Sequence, residues 1–307
     1  MLMDNIQQAI KTIVENRMHT KVNEVAAAGK GASGSVYCVR IQNEPYVIAV
    51  KTSEYYDTMC REKAMLDYLF ERVSYKVPQT YFICQKDDVT FLGMEFINGV
   101  SGKNEFKLNF IRNKKHLADS IVDAFLDTKS VQNDKFGVFD NPVYDTWKAY
   151  YRDFFNDIYS FAKEKFATKE ISQTIMNAVQ WIEDNFDLIF DSVQGPACLS
   201  HGDFWMPNMI IDFKKSELAG VLDPFNMIYA EPEYELFAFT LGFGKRLRLY
   251  DVYKKRVKAS AFCDLKVELY ALCNELHWCM LLGMVNKSYI EFRSKNLMEQ
   301  ARKLNIA

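Results

Sequence analysis

A run of glycines between two strand-like stretches constrains this chain more than any other feature of its sequence. Residues 29–36, GKGASGSV, fit the pattern G-x-G-x-x-G-x-V and lead into residues 36–41, VYCVRI, which are rich in β-branched residues. A dinucleotide-binding glycine loop would instead open a helix and be followed by an acidic residue about 20 positions further on. The context therefore predicts a glycine loop that joins two β-strands.

A loop of this kind can lie close to phosphate oxygens, because glycine lets the backbone N–H groups approach a ligand. The residues that we expect at such a phosphate site are Gly29, Gly31, Gly34 and Val36. For the motif taken alone, an ordinary hairpin turn is the alternative.

Two charged residues after the loop fit the same site. Lys51 ends the apolar run IAVK at 48–51, and Glu62 lies in the helical stretch that follows. A lysine on the third strand can neutralise phosphates, and an ion pair with a glutamate would hold its flexible side chain in place. A solvated lysine at a strand end and an exposed helical glutamate are the alternatives.

The segment LSHGDFWMPNMII at 199–211 carries the most specific pattern in the chain. Asp203 and Asn208 stand five positions apart between apolar residues. The Asp203 carboxylate can accept or orient a hydroxyl proton, and the Asn208 amide oxygen can ligate a hard cation. A capped turn would explain either residue singly.

Asp223 follows the apolar run GVL at 220–222. An aspartate at the end of a buried strand is costly unless it is paired or bound to metal. Mg²⁺ bound to the phosphates of a nucleotide would supply that compensation. We therefore predict Asn208 and Asp223 as the metal ligands.

The pattern of apolar residues predicts an α+β fold with two lobes. An amphipathic helix at 5–17 precedes strand, loop, strand, turn at 43–45 and strand over 22–52. The further expected elements are a helix at 58–72, strands at 81–84 and 90–95, helices at 107–128, 145–165, 169–190 and 260–285, and a hairpin at 207–223. The domains expected are a β-rich nucleotide-binding lobe at 1–95, with a lead-in helix at 1–20, and a helical catalytic and substrate lobe at 96–307.

Composition narrows the class of partner. A net charge of −2 gives no broad attraction to nucleic acid or to an anionic membrane. The seven cysteines are scattered, odd in number and without a CxxC pair, which is typical of reduced thiols in the cytoplasm. We expect a cytoplasmic protein without a nucleic-acid or membrane partner; the oligomeric state is left open.

The order of these motifs resembles the aminoglycoside phosphotransferase and choline kinase superfamily, which has the protein-kinase-like fold. The resemblance runs from about residue 24 to about residue 245 and includes HGD at 201–203, where protein kinases have HRD. It implies transfer of the γ-phosphate of ATP, with Mg²⁺, to a hydroxyl of a small molecule. Residues 94–99, MEFING, resemble the family's hinge, which implies adenine hydrogen bonds to the backbone at Glu95 and Ile97.

Within the superfamily, HGDFW at 201–205 and LDP at 222–224 are similar to the fructosamine and ketosamine kinases. Residues 223–239 look closer to a group of uncharacterised bacterial phosphotransferase-like proteins. The segment EPEYEL at 231–236 resembles the family's DPEYDLA, and we expect a structural role for Glu235, which replaces its second aspartate. The acceptor is expected to be a ketosamine, an aminoglycoside or a related amino sugar or amino alcohol.

The main alternative is a catalytically silent kinase-like protein that binds a nucleotide or a partner. It predicts loss of the base and metal residues, and Asp203, Asn208 and Asp223 are all present.

Two further expectations concern the second lobe. Glu231 and Glu233 are predicted to be solvated surface carboxylates, with attraction of a cationic acceptor as the alternative. The aromatic residues of the helix at 145–165 are predicted to pack in the core, with an acceptor pocket as the alternative.

Overall fold

The computed structural model describes residues 2–31, 34–41, 47–193, 195–283 and 286–306. The strands are β1 Val22–Gly31, β2 Gly34–Ile41, β3 Val47–Ser53, β4 Thr80–Lys86, β5 Val89–Glu95, β6 Val100–Ser101, β7 Gln132–Asn133, β8 Gly137–Val138, β9 Ala197–Ser200, β10 Met209–Asp212, β11 Glu217–Val221 and β12 Ile228–Ala230. The helices are α1 Leu2–Met18, α2 Tyr56–Phe70, α3 Glu105–Leu108, α4 Lys114–Ser130, α5 Trp147–Ala167, α6 Gln173–Phe190, α7 Gly242–Leu247, α8 Leu249–Arg256, α9 Cys263–Leu282 and α10 Lys287–Lys303.

The chain forms two compact units. The first comprises Met1–Leu117 with Pro207–Phe225, and the second comprises Ala118–Met206 with Asn226–Ala307. The first unit thus includes the hinge segment at 94–99 and the hairpin of β10 and β11, because β10 pairs with β6 just after the hinge segment. The expected functional division after residue 95 stays a prediction.

The first unit is built on an antiparallel sheet with the strand order β1-β2-β3-β5-β4. The predicted strands of this region are confirmed, as are the helices α1 and α2. Ile10 and Val14 lie one helical turn apart on α1, and both are fully buried in a core with Val39 and Val50 of the sheet. The predicted turn at 43–45 lies outside the described residues, as do Ala32 and Ser33 of the glycine loop.

The hairpin of β10 and β11 packs closely against the hinge segment within the same unit. Ile210 and Ile211 pair with Ser101 and Val100 of β6. A Cβ atom added to Gly220 would lie 2.6 Å from Ile97 Cδ1 and 2.9 Å from the Lys76 carbonyl oxygen. Only glycine allows this approach, which fixes the hairpin on the hinge segment.

The second unit is mainly helical. Its small sheet has the order β7-β9-β12-β8, and β9 leads directly into the HGD segment at 201–203. The predicted helices at 145–165, 169–190 and 260–285 correspond to α5, α6 and α9. No helix among the described residues is both long enough and apolar enough to cross a bilayer.

The prediction of one helix at 107–128 is wrong. The chain forms the short helix α3, leaves the helical path at 109–113 and begins α4 at Lys114. Asn104 accepts a hydrogen bond from Lys107 N at 3.1 Å, and Asn113 accepts one from His116 N at 3.0 Å. These side chains cap the two helix starts, and apolar spacing alone does not reveal such a break.

Two aromatic residues in the first turns of α5 belong to the core. Trp147 and Tyr151 are each 1% exposed. The Trp147 indole donates to the Tyr270 hydroxyl at 2.9 Å, and the Tyr151 ring lies 5.0 Å from the ring of Phe190. These contacts join α5 to α6 and α9 and confirm core packing for both residues.

The prediction that Glu231 and Glu233 are solvated is wrong. They are 2% and 7% exposed, and both bind the ammonium group of Lys266, which is 2% exposed. The Lys266 Nζ atom lies 2.5 Å from Glu231 Oε2 and 2.7 Å from Glu233 Oε2. The Tyr270 hydroxyl donates to Glu231, and the backbone and side chain of Ser260 donate to Glu233 at 2.6 Å each. Satisfied hydrogen bonds are what make buried carboxylates tolerable.

The two glutamates respond differently to this environment. Burial raises the pKa of Glu231, although Lys266 opposes the shift. Burial also acts to raise the pKa of Glu233, but Lys266 and Ser260 outweigh it and the pKa is lowered. The pKa of Lys266 is raised, because the attraction of both carboxylates exceeds the effect of burial. One lysine therefore stabilises two buried negative charges.

We predict that Lys266→Met destabilises the protein by about 3–5 kcal/mol, because two buried carboxylates lose their counter-ion. Urea unfolding at neutral pH measures the loss. The matched control is Lys254→Met, which removes a more exposed pair with Asp264, 2.9 Å apart. That control should cost no more than about 1 kcal/mol.

The destabilisation by Lys266→Met should also depend on pH. Without Lys266, burial raises the pKa of both glutamates above its value in the unfolded chain, so the folded variant takes up protons as the pH falls. The deficit relative to wild type is then largest at about pH 8 and smaller at about pH 5.5. An equal deficit at the two pH values would contradict a purely electrostatic origin.

Candidate active site

The glycine loop joins β1 and β2, as the sequence predicts. Gly31 pairs with Gly34, and Val36 pairs with Gly29 across the two strands. A Cβ atom on Gly34 would lie 2.0 Å from the Thr52 carbonyl oxygen, so this position accepts only glycine. A Cβ atom on Gly29 would meet no described atom within 4 Å. The strand ends are therefore tightly packed on the β3 side at Gly34 and open at Gly29.

Lys51 is the centre of a buried ion-pair network in the first unit. Its Nζ atom lies 2.6 Å from Glu62 Oε2 and 2.7 Å from Asp223 Oδ1. The side chains of Lys51 and Glu62 are each 8% exposed, whereas that of Asp223 is 50% exposed. Three residues that the sequence predicts at one site are thus in direct contact, and the alternatives of a solvated lysine and an exposed glutamate are wrong.

The charges of this network are unequal, with two carboxylates around one ammonium group. Burial raises the pKa of Glu62 to about 7, although Lys51 opposes the shift. Burial acts to raise the pKa of Asp223 as well, but Lys51 outweighs it and the pKa is lowered. The pKa of Lys51 is raised, since the two carboxylates overcome the effect of burial. Lys51 and Asp223 therefore carry full charges at neutral pH.

The hairpin of β10 and β11 positions Asn208 and Asp223. Met209 pairs with Val221, and the Leu222 N–H donates to the Asn208 carbonyl oxygen at 2.8 Å. Asn208 is 6% exposed. Asp223 has a φ of 60°, a left-handed conformation that aspartate tolerates better than most residues. Backbone strain of this kind is often found at functional sites.

The chemistry of these donors suits Mg²⁺. Asp223 offers an ionised, half-exposed carboxylate, and Asn208 offers an amide oxygen. Mg²⁺ is usually bound by one or two carboxylates together with substrate phosphates. The residues present therefore fit a magnesium ion that is shared with a nucleotide.

Glu95 and Ile97, the predicted adenine contacts, lie at the end of β5 and just beyond it. The Glu95 N–H donates to the Gln79 carbonyl oxygen at 2.8 Å, and the Glu95 side chain lies 2.5 Å from Lys76 Nζ. Ile97 is 6% exposed and packs against Gly220. The Glu95 N–H is therefore already used by a hydrogen bond within the first unit.

Asp203 lies in the second unit, on the loop that follows β9. Gly202 has a φ of 83°, which favours glycine, and Trp205 N donates to the Asp203 carbonyl oxygen at 3.0 Å. Phe204 is 1% exposed, and its ring lies 5.6 Å from the ring of Phe125. The loop is thus anchored by a buried phenylalanine next to Asp203, whose side chain is only partly buried.

The expected structural role of Glu235 agrees with its contacts. It is 2% exposed and accepts a hydrogen bond from the Phe204 N–H at 2.9 Å. Burial raises the pKa of Glu235, opposed by Lys129 and by hydrogen bonds from the backbone N–H groups of Phe204, Gly202 and His201. One carboxylate therefore binds the backbone on both sides of Asp203.

Sequence reasoning missed Lys129. This buried lysine ends α4 and donates to the Ser200 hydroxyl, one residue before the HGD segment. A lysine at the end of an amphipathic helix is ordinarily solvated, so the chain offers no local signal for its burial. Only the packing of α4 beside β9 reveals it.

Comparison with solved structures identifies the fold. A thermostable mutant of aminoglycoside phosphotransferase APH(4)-Ia, in a ternary complex with AMP-PNP and hygromycin B, matches with a TM-score of 0.70 at 14% identity, covering 96% of this chain and 98% of that one. A candidate fructosamine-3-kinase from Haemophilus somnus 129PT matches with a TM-score of 0.68 at 16% identity, covering 95% and 96%. APH(2'')-IIa in complex with gentamicin matches with a TM-score of 0.61 at 17% identity, covering 97% and 96%. At these identities the likeness shows a shared kinase-like fold.

Sequence comparison identifies the family. No curated protein matches the chain. The family model for fructosamine kinase, however, matches residues 2–301, which is nearly the whole sequence. The chain therefore belongs to the fructosamine kinase family, and it is a small-molecule kinase with the two-lobed protein-kinase-like fold.

Proposed function

We propose that this protein transfers the γ-phosphate of ATP to a hydroxyl group of a ketosamine or a related amino sugar, with Mg²⁺ as cofactor. The observation that carries the proposal is the position of the Lys51 ammonium group between Glu62 and Asp223, at 2.6 and 2.7 Å. A buried cation held by one carboxylate and facing a second, half-exposed one suits the binding of phosphates and a metal ion.

Residues 1–95 would bind the nucleotide in this proposal, and residues 96–307 would supply catalysis and acceptor binding. Gly29, Gly31 and Gly34 cover the phosphates, with Val36 beside them. Lys51 neutralises the phosphates while Glu62 holds its side chain. The adenine ring takes backbone hydrogen bonds from the hinge segment, at the Glu95 carbonyl oxygen and at Ile97.

Asn208 and Asp223 would hold the magnesium ion. When bound, Mg²⁺ neutralises negative charge on the transferring phosphoryl group. Asp203 orients the acceptor hydroxyl and accepts its proton as the new P–O bond forms. The bond between the γ-phosphorus and the bridging oxygen breaks, and ADP leaves with that oxygen.

The proposed acceptor class follows from the family. The chain matches the fructosamine kinase family over residues 2–301, and the solved neighbours include aminoglycoside phosphotransferases, with hygromycin B and gentamicin as bound compounds. Amino sugars are common to both groups.

The state of the cysteines supports a cytoplasmic location. All seven are free thiols in the structure: Cys38, Cys60, Cys84, Cys198, Cys263, Cys273 and Cys279.

The first prediction from the proposed function concerns the proposed base. Asp203→Asn should lower kcat by roughly 10²–10⁴-fold, because the amide cannot accept the hydroxyl proton. Binding of AMP-PNP with Mg²⁺, measured by isothermal titration calorimetry, should stay close to that of wild type. The control is Asp140→Asn, an exposed aspartate of the same unit. Wild-type turnover in Asp203→Asn would remove Asp203 from this role.

The second prediction concerns the ion pair. Glu62→Gln should lower kcat/KM for ATP by roughly 10- to 100-fold, a loss typical of residues that orient a ligand-binding group. Lys63→Met is the matched control on the same helix, since Lys63 makes a more exposed pair with Asp67 at 2.6 Å. A loss of equal size in both variants would point to general damage to α2 rather than to Lys51.

The third prediction concerns the acceptor. A screen of ATP consumption should include ketosamines, aminoglycosides, choline, homoserine and simple sugars. It should show the highest kcat/KM for a ketosamine, and the product should carry one phosphate ester by mass spectrometry. Clear preference for choline or homoserine would overturn the proposed acceptor class but leave the kinase assignment intact.

A further inference from the structure

The proposed mechanism leaves one buried cation of the second unit without a role. Lys129, in the last turn of α4, is 7% exposed. Its ammonium group donates to Ser200 Oγ and lies 4.0 Å from Glu235 Oε2. It also lies 5.1 Å from the ring centroid of Phe125. These three neighbours come from three separate segments of the chain.

The two polar partners of Lys129 flank the segment that carries Asp203. Ser200 ends β9, directly before HGD at 201–203. Glu235 accepts hydrogen bonds from the backbone on both sides of Asp203, including the Phe204 N–H at 2.9 Å. Lys129 thus donates a hydrogen bond to Ser200, at one side of the loop, and forms an ion pair with Glu235, which binds the loop backbone.

Glu235 needs a counter-charge in this position. Its carboxylate is 2% exposed, and its φ of 79° lies in the left-handed region that glutamate rarely adopts. Backbone N–H groups stabilise a buried carboxylate but do not neutralise it. Within the part of the chain that the structure describes, Lys129 is the cation that forms an ion pair with Glu235.

The aromatic contact extends the same arrangement. The Phe125 ring lies one helical turn before Lys129 and packs at 5.6 Å against the ring of Phe204, which follows Asp203. The position of the ammonium group over Phe125 adds a favourable cation–π contact in a buried environment. The end of α4 therefore contacts the loop through a charge and through a ring.

We infer that Lys129 is a positioning residue for phosphoryl transfer: its ammonium group pairs with Glu235 and binds Ser200, so that the loop at 200–204 holds the Asp203 carboxylate in one orientation. The inference rests on the proposed role of Asp203. Burial raises the pKa of Glu235, and Lys129 opposes that shift without cancelling it. Burial in turn lowers the pKa of Lys129, and Glu235 opposes that shift.

A double-mutant cycle separates this role from mere filling of space. Lys129→Met keeps the length of the side chain but leaves Glu235 buried without a counter-ion. Glu235→Gln keeps an amide oxygen that can accept a backbone hydrogen bond without needing a cation. If Lys129 acts through charge, Lys129→Met should lower kcat by roughly 10- to 100-fold in the wild-type background. In the Glu235→Gln background, the same substitution should lower kcat by less than about threefold.

Two further measurements make the outcome specific. KM for ATP should stay within about twofold of wild type in Lys129→Met, because the proposed nucleotide residues belong to the first unit. Hydrogen exchange of the backbone amides at 201–204 should become faster in Lys129→Met and should recover in the double variant. Lys254→Met, which removes a more exposed lysine of the same unit, should change neither readout.

Equal losses of kcat in the two backgrounds would overturn the inference, because they show no coupling between Lys129 and Glu235. Unchanged amide exchange at 201–204 would overturn it as well. If Lys129→Met does not fold, a folded and active double variant supports the inference, and a double variant that is also unfolded overturns it. If Asp203→Asn retains full turnover, the proposed function fails, yet amide exchange still shows whether Lys129 holds the loop.

Discussion

The ammonium group of Lys51 is the point on which the first unit depends. By ion pairs of 2.6 and 2.7 Å it joins β3 to α2, the next element along the chain, and to Asp223 at the end of the hairpin, which is 172 residues away in the sequence. Two carboxylates around one buried cation leave an excess of negative charge, which is why burial can raise the pKa of Glu62 to about 7 while Asp223 stays ionised. In the proposed complex, the positive charge of the metal ion would offset this excess of negative charge.

Close backbone packing holds the segments around this network in place. The hairpin can lie on the hinge segment only because position 220 has no side chain, since a Cβ atom there would be 2.6 Å from Ile97 Cδ1. At the glycine loop the same reasoning applies to Gly34 and the Thr52 carbonyl oxygen. Gly220 and Gly34 therefore act in the same way, because each allows one stretch of the chain to approach another.

The sequence predicts those parts of the molecule whose function is encoded in local spacing. The glycine loop, the HGD segment and the hairpin that carries Asn208 and Asp223 are all recognisable, because each packs several required residues into a short stretch. The network around Lys51 follows from the same motifs. Polar residues buried by long-range packing are not predictable in this way. Glu231 and Glu233 are of a residue type that usually lies on the surface. Nothing near them in the sequence shows that α9 supplies Lys266 as their partner.

The break between α3 and α4 was missed for a related reason. Apolar spacing continues through residues 109–113, whereas the caps at Asn104 and Asn113 depend on single side chains. Periodicity reports which face of a segment is buried, and it does not report whether the backbone stays helical between two buried positions.

The segment at 231–235 is the electrostatic centre of the second unit. It contributes three buried glutamates within five residues, and the lysines that meet them come from two different helices, α4 and α9. Two ammonium groups for three carboxylates leave this region short of positive charge, which is consistent with the raised pKa values of Glu231 and Glu235. Because Glu235 binds the loop that carries Asp203, the charge balance of a buried segment and the orientation of the proposed base are linked. The segment EPEYEL at 231–236, which resembles a family motif, therefore contacts the backbone around the proposed base through Glu235 and the N–H groups that it binds.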